Sequence, residues 1–395
     1  MGFPFLGMPH SSTHKEHHAF FVRQRLIVDA LLKLSIDMAK NKNQNAAQKA
    51  KEDEFYTQLP DIANELSHYR KHFRDKIVLC NCDDPYESNF FKFFATKFNA
   101  WGLKKLICTC YDGSPVAGTE FDLFEKRPES SRKAFKIELT EVTDVNGDGA
   151  TDLEDVEIIL RNNPPTLLEG NGDFRSPECI QLLQEADIVV TNPPFSLFRE
   201  FVNLLYKHEK KFLIIGNQNN VTYKDIFSRI RDNQLWLGYY AGSMKFVIPE
   251  IYDESKTNIK TLEDGTIIST MGNICWFTNL DHSKRHEELD LYKHYTPEEF
   301  PKYDNYDAIF VKNVADIPAD YDEPMGVPPT FLANYDPDQF VVLGITDRDN
   351  NSGLKTKVYT KEDAKNASDL NRRGVLKIGA SYKLCWPAIL IKKRK

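Results

Sequence analysis

The sequence predicts an α/β fold, a doubly wound and mostly parallel sheet followed by a loop-rich C-terminal region. Three observations carry that expectation. From residue 75 to 218, short apolar runs alternate with amphipathic stretches across short connections, the rhythm of strands joined by crossover helices. Polar clusters fall at the ends of the apolar runs, at 81–85, 111–112 and 192–195, where open parallel sheets bind ligands. Past residue 225 the rhythm weakens and turn residues accumulate, as in "YYAGSMKFVIPEIYDESKTN" and "DEPMGVPPTFLANYDPDQF". The 395 residues therefore divide into an N-terminal helix and linker (1–50), a sheet domain (51–225) and a region of remaining strands and loops (226–395).

The elements follow in order. "FFVRQRLIVDALLKLSIDM" (20–38) repeats apolar residues at three and four, an amphipathic helix, and "AKNKNQNAAQKAKED" is a polar linker. "DKIVLCNC" (75–82) is a strand, "SNFFKFFATKF" (88–98) a helix with an aromatic stripe, and "LKKLICTCY" (103–111) a second strand. "KAFKIELTEV" (133–142) is a strand within an excursion. "SPECIQLLQEA" (176–186) opens with the Ser-Pro of a helix start. "DIVVTN", the helical "SLFREFVNLLYKHEK" and the strand "KFLIIGNQ" (211–218) complete the alternation.

Bulk properties exclude some classes. Lysine and arginine number 51 against 58 acids, net −7, so the chain is not generally basic, although nucleic-acid binding depends on where the cations lie. No 18-residue apolar run offers a membrane span, and "MGFPFLGMPHSSTHKEHH" lacks the charged start and apolar stretch of a secretory signal. Both point to the cytoplasm. His10, His14, His17 and His18 lie close together without ligand-spaced carboxylates or cysteines. Cys80 with Cys82, and Cys108 with Cys110, place thiol pairs on strand faces. Structural zinc prefers C-x₂₋₄-C on tight turns, so these read as reduced, buried thiols.

One junction asks for more than packing. In "ADIVVTNPPFSLFREFV" (186–202) an apolar run stops at Asn192-Pro193-Pro194-Phe195. Two prolines remove two backbone donors and fix φ, so neither strand nor helix runs through them. Phe195 is then either the first core residue of the next helix or a flat face presented to a ligand.

The co-ordered motifs "DEFYTQ" (53–58), "CNCDDP", "SNFFKFF", "LKKLI", "GDFRS", "DIVVTNPPFSLF", "KKFLII", "WFTNLD" and "FPKYDNYDAI" resemble the adenine-specific DNA methyltransferases, in particular the EcoRI DNA methyltransferase family. The resemblance runs from about residue 50 through most of the chain. It implies the sheet of S-adenosylmethionine-dependent methyltransferases with a C-terminal target-recognition region. It also implies methyl transfer to the 6-amino group of adenine in a short duplex sequence, with base flipping, as in restriction–modification. Double-stranded DNA would be the partner, with no obligatory protein partner evident. The chemistry suits the residue types. Adenine's amine is a poor nucleophile, and two acceptors aimed at its hydrogens take up charge as it develops. Asn192 Oδ1 and the Pro193 carbonyl are such acceptors, Pro194 adds rigidity, and Phe195 can stack on a flipped base.

For the cofactor, the resemblance places Phe55, Tyr56 and Thr57 over its methionine end. Asn81, Asp83, Asp84 and Pro85 would form the loop after the first strand, with Ser88 and Asn89 standing where related enzymes have glycines. Tyr111 and Asp112 end the second strand, with Asp112 the candidate ribose acid. Asp173 and Phe174 correspond to the pocket for the cofactor's adenine, although Asp173 also suits a helix cap before "RSPE".

"DVNGDGATDLED" (144–155) matches an EF-hand pattern through Asp144, Asn146, Asp148, Gly149, Asp152 and Asp155. Thr151 replaces the usual apolar residue, Asp155 is shorter than the usual Glu, and no clear helix precedes the loop. A tight acidic turn before a helix is the favoured form, with calcium the alternative. The functional rivals are an RNA or protein-glutamine methyltransferase and a non-catalytic DNA-binding relic.

Overall fold

A computed structural model describes residues 56–82, 88–112, 133–149, 151–162, 165–241, 244–247, 259–262, 267–347 and 353–394. The helix expected at 20–38, the following linker and the histidines near the amino terminus lie outside them. So do Phe55, Asp83, Asp84 and Pro85.

The alternation read from the sequence is the element order of the first half. Strand β1 (Tyr56–Thr57) leads into α1 (Leu59–Ser67), then β2 (Ile77–Cys80), α2 (Asn89–Trp101) and β3 (Lys105–Cys110). Next come β4 (Phe135–Leu139), α3 (Leu153–Asn162), β5 (Thr166–Leu167), α4 (Pro177–Glu185) and β6 (Ile188–Thr191). The run continues with α5 (Phe198–Lys207), β7 (Lys211–Asn217), α6 (Lys224–Arg231) and β8 (Trp236–Ala241). Strands β9 (Met244–Val247), β10 (Ile259–Thr261) and β11 (Ile267–Met271) form a small sheet with β1, and β12 (Ile274–Thr278) returns to the main one.

Local chemistry sets these boundaries. The Ser88 hydroxyl accepts from Phe90 N (3.2 Å) to start α2, and Gly102 at φ 65° ends it. Ser176 accepts from Cys179 N (3.2 Å) and Pro177 opens α4. Helix α5 buries Phe198, Phe201, Val202 and Leu205, one stripe at spacings of three and four.

Among the described residues the main sheet has eight strands in the order β5-β4-β3-β2-β6-β7-β12-β8. Its four central strands, β3, β2, β6 and β7, are parallel. The flanking strands β4, β5, β12 and β8 pair antiparallel. Leu79, Val189 and Ile214 face the layer of α4, α5 and α6, whereas Val78, Ile188 and Ile215 face α1 and α2. Burial on both faces explains the continuous apolar runs.

The C-terminal region adds a sheet of β13 (Ile309–Phe310), β14 (Met325–Val327), β18 (Ile389–Lys393) and β15 (Phe340–Ile345), in that order, plus a separate hairpin of β16 (Val375–Ile378) and β17 (Ser381–Leu384). Met325, Val327, Phe340 and Ile391 join the core beneath α5 and α6. No helix among the described residues is long and apolar enough to cross a membrane. Six of the seven cysteines are buried and Cys82 is half-buried, and among the described residues no cluster of three or more histidine, cysteine or carboxylate groups is set to hold a metal.

One buried acid holds the sheet's far edge. The β8–β12 register shifts between Cys275 and Phe277. Glu65 of α1, fully buried, receives Tyr239 N (2.6 Å), Tyr240 N (2.8 Å) and the Tyr69 hydroxyl (2.8 Å). A Cβ on Gly238 would collide with Glu65 Oε1 and Trp276, so the residue there must be glycine for the carboxylate to reach. Burial pushes the Glu65 carboxyl up from 4.5 to about 7 against those three donors. The folded chain therefore binds this proton more tightly than the unfolded one. Its contribution to stability is full below pH 4.5 and is lost as pH rises through about 7, amounting to about 3 kcal/mol. Thermal melts from pH 5 to 8 should show that decline in the wild type and a flatter one in Glu65→Gln. Parallel slopes would place the pH dependence elsewhere.

Candidate active site

Strands β2 and β6 are parallel neighbours, yet the chain leaves β2 for β3 on one side and β6 for β7 on the other. That divergence opens a crevice at their carboxyl ends. Asn81 follows β2 and Asn192 follows β6. The Thr191 hydroxyl donates to the Asn81 carbonyl and ties the two ends together. Asn81 is 3% exposed, and its Oδ1 accepts no hydrogen bond among the described residues. The same holds for the Thr57 hydroxyl in β1. Leaving such atoms unsatisfied costs about 1–3 kcal/mol each, which fits groups held ready for a ligand. Asn89 Nδ2 donates to the Thr57 carbonyl (2.7 Å), so this residue, standing where related loops have glycine, pins β1 to the start of α2.

The Asn192–Phe195 corner closes the crevice on the β6 side. Pro193 is buried, and Asn192, Pro194 and Phe195 are half-buried. Leu197 N donates to the Pro194 carbonyl (3.0 Å) to form a 3₁₀ turn over Phe195–Leu197. Helix α5 starts only at Phe198, whose ring occupies the space a Cβ on Gly216 would need and lies 4.9 Å from Phe277. Phe198 is thus the first core residue of the helix, a place the sequence had offered to Phe195. Phe195 packs on the opposite side of the sheet, partly exposed beside the α1–α2 core.

A second group gathers at the end of β3. Asp112 N donates to the Asn171 carbonyl (2.9 Å). Gly172, at φ 75°, lies so close that a Cβ would stand 2.5 Å from the Cys110 carbonyl and 2.8 Å from Tyr111 Cα. Tyr111, Asp112 and Asp173 are thereby brought together. The Asp173 carboxylate receives Arg175 N and Nε (both 2.8 Å) and Nη2 (2.6 Å), and the Arg175 guanidinium holds its carboxyl below the usual range. Asp173 is not the helix cap; Ser176 is. Phe174 is 5% exposed and meets Phe201 edge-on at 5.1 Å, so its ring is turned into the core. Tyr56 contributes backbone to β1, paired with Val247.

One polar run escaped the sequence analysis. Strand β7 ends beside the corner in Asn217-Gln218-Asn219-Asn220. Asn217 Oδ1 accepts from Asn219 N (2.9 Å), and Asn220, 6% exposed, has an Nδ2 with no partner among the described residues. Four consecutive amides at a carboxyl strand end were the available signal.

The acidic loop at 144–155 closes on itself. Asp144 receives Gly147 N (2.6 Å) and Gly149 N (2.8 Å), and Asn146 Oδ1 receives Asp148 N (3.0 Å). Asp155, fully buried, receives Val145 N (2.7 Å), Asn146 N (3.2 Å) and Asp152 N (3.1 Å). The Asp152 amide leads these in lowering its carboxyl pKa.

A doubly wound sheet that opens between β2 and β6, and stops β6 with Asn-Pro-Pro-Phe, belongs to the S-adenosylmethionine-dependent amino-methyltransferase class. Residues 43–394 match the family described as adenine-specific methyltransferase EcoRI. The chain is 44% identical over 326 residues to the type II methyltransferase M.EcoRI of Escherichia coli, covering 79% of this chain and 92% of that protein. It is 40% identical over 305 residues to the type II methyltransferase M.MpnI of Mycoplasma pneumoniae, covering 76% and 84%. For M.MgeORF184P of Mycoplasma genitalium the identity is 38% over the same shares. No solved structure matches. The chain belongs to the EcoRI family of adenine-specific methyltransferases.

Gly172→Ala should push the 171–174 loop off the end of β3, because the new Cβ has neither space nor an allowed φ. Calorimetry should find weaker S-adenosylmethionine binding and a lower melting temperature; unchanged affinity would remove this loop from the cofactor site. Chelator should leave methyl transfer intact, and activity that vanished with chelator and returned with calcium would make 144–155 a functional metal loop.

Proposed function

We propose that the crevice between β2 and β6 methylates the 6-amino group of an adenine extruded from duplex DNA. The observation that carries this is the rigid, half-buried corner of Asn192–Phe195 placed beside the Asn81 end of β2, in a chain of an adenine-specific family. Bound S-adenosylmethionine supplies an electrophilic sulfonium methyl group. Thr57 and Asn81, with atoms that lack partners among the described residues, would hold its methionine end, and Asp112 and Asp173 would hold its nucleoside end beside Tyr111. The methyl group would pass to adenine's amino nitrogen as its bond to sulfur breaks, with loss of one amino proton to solvent. Asn192 Oδ1 and the Pro193 carbonyl accept the amino hydrogens and stabilise the charge that builds on nitrogen. Proline rigidity keeps both oxygens aimed without loss of chain entropy at the reaction. Phe195 presents a ring face to the flipped base. Asp173 reaches the cofactor by sharing its carboxylate with Arg175, which Glu200 also holds at 3.2 Å.

The substrate is a short specific sequence in double-stranded DNA, modified in the cytoplasm. Transfer of labelled methyl groups to duplex DNA, single-stranded RNA or protein separates this function from its rivals, and binding without transfer to any of them would leave a DNA-binding relic.

Asn192→Ala should lower the rate by on the order of 10²–10³ while cofactor affinity holds. Near-normal turnover would discard the clamp. Phe195→Ala should lose about 1–3 kcal/mol in kcat/KM on duplex DNA, with Phe195→Trp close to wild type. A mismatch opposite the target adenine eases extrusion and should partly rescue the alanine variant. Equal losses on matched and mismatched duplexes, with a lowered melting point, would mean that Phe195 serves packing alone.

A further inference from the structure

The chain is acidic as a whole, yet residues 353–384 carry eight lysines and arginines against three acids, net +5, which leaves the rest at −12. These residues form a small lobe around Tyr359, Ala367, Leu370 and Val375. Two neighbouring side chains hold it. Asn305, fully buried, donates to the Arg373 carbonyl (2.8 Å) and accepts from Val375 N (2.8 Å). Asp304 receives Lys357 Nζ (3.0 Å) and the Tyr359 hydroxyl (2.8 Å). Lys361, Lys365, Arg372, Arg373, Lys377 and Lys383 enter no ion pair among the described residues, and all six are exposed.

From this lobe projects the ribbon of β16 and β17, which pair only with each other among the described residues. Gly379 at φ 60° lets its two-residue loop close. The root is anchored by buried Val375 and Leu376, while the tip is bare from Lys377 to Ser381 and Ile378 is 60% exposed. Directly opposed residues share a face of a ribbon. Ile378 and Ser381 therefore lie with Lys383 on one face, and Lys377 lies with Tyr382 on the other.

We propose that this ribbon enters the major groove of the duplex and reads sequence there, an inference that rests on duplex DNA being the substrate. The B-DNA major groove is about 12 Å wide and admits a two-stranded ribbon. Lysines on opposite faces meet the two phosphate walls. The Ser381 hydroxyl both donates and accepts toward base edges, and Ile378 offers an apolar contact for a thymine methyl group. An acidic protein would answer the charge, but a stable protein interface needs about 1,000 Å² or more, far beyond a five-residue tip.

The test uses the full chain loaded with S-adenosylhomocysteine. Anisotropy is read over a salt series on a labelled duplex carrying the sequence that the wild type methylates, and on a one-base variant. Lys377→Ala with Lys383→Ala should reduce the slope of log affinity against log salt by about 2 and weaken both duplexes alike. Ile378→Ala should lower discrimination between them by about 5- to 100-fold. Cofactor affinity, melting temperature and kcat at saturating DNA should stay near wild type, which separates reading from folding and from chemistry. Wild-type slope and discrimination in these variants would overturn the ribbon's role while methyl transfer by the wild type still stood. Altered self-association with unchanged DNA binding would also overturn it, assigning the ribbon to a second copy. Absence of transfer to adenine by the wild type would instead remove the reading on which the inference rests.

Discussion

Two parallel strands that part company at their carboxyl ends must still be held side by side there. Strands β2 and β6 are paired through Val78–Ile188 and Leu79–Val189, and the last tie is the Thr191 hydroxyl on the Asn81 carbonyl. Immediately beyond it, Pro193 and Pro194 deny the sheet two donors, so pairing cannot continue. The crevice is therefore a consequence of where hydrogen bonding stops. Its walls are fixed from below by Pro193, which is buried, and by Phe198, seated on Gly216 in a core where losing such a ring costs about 3–5 kcal/mol. The aim of the Asn192 side chain is inherited from that packing.

Buried polar atoms divide into two populations, and position distinguishes them. Glu65, Asn305, Asp155 and the Thr278 hydroxyl are satisfied by backbone groups, and each fixes a junction between elements. Thr57, Asn81 and Asn220 carry atoms without a partner among the described residues and lie at or beside the carboxyl ends of the central strands. Being unpartnered is not sufficient by itself. His282 Nδ1, Arg285 Nε and the Tyr303 hydroxyl share it among the described residues, yet His282 and Arg285 pack at the opposite end of β8, and Tyr303 fills the space above Gly326 and Gly374.

The sequence was most legible where one force dominates. Apolar runs buried on both faces gave β2, β3, β6 and β7, and Ser88 and Ser176 marked helix starts as caps. It was least legible where pairing partners decide. Nothing in "KAFKIELTEV" distinguishes an antiparallel neighbour of β3 from a parallel one, because both present alternating or apolar faces. Phe174 looked like a pocket wall, but an aromatic beside a loop carries no sign of which way its ring turns, and Phe201 claims it. Asp173 and Ser176 both suit a cap, and the choice rests on which backbone amide each can reach. Glu65 was invisible, since a lone acid on a helix face is ordinarily solvated, and only the β8 irregularity gives it work.

"FPKYDNYDAI" shows the same division from the other side. In the sequence it was a family motif without a mechanism. In the fold its Asn305 sews the basic 353–384 lobe to the C-terminal sheet through the Arg373 carbonyl and the Val375 amide, while the Asp304 carboxylate receives Lys357 Nζ and the Tyr359 hydroxyl. The Asn305 bonds depend on the course of the lobe's main chain and hardly on its side chains. The residues at the ribbon tip can therefore change without disturbing Asn305, and the crevice, held by its own core, does not register the change. A methyltransferase built in this way can keep one chemistry under a fixed corner while the exposed ribbon varies. The lobe's root is accordingly held by an amide bound to backbone and a carboxylate bound to Lys357 and Tyr359, with the exposed cations lying further out.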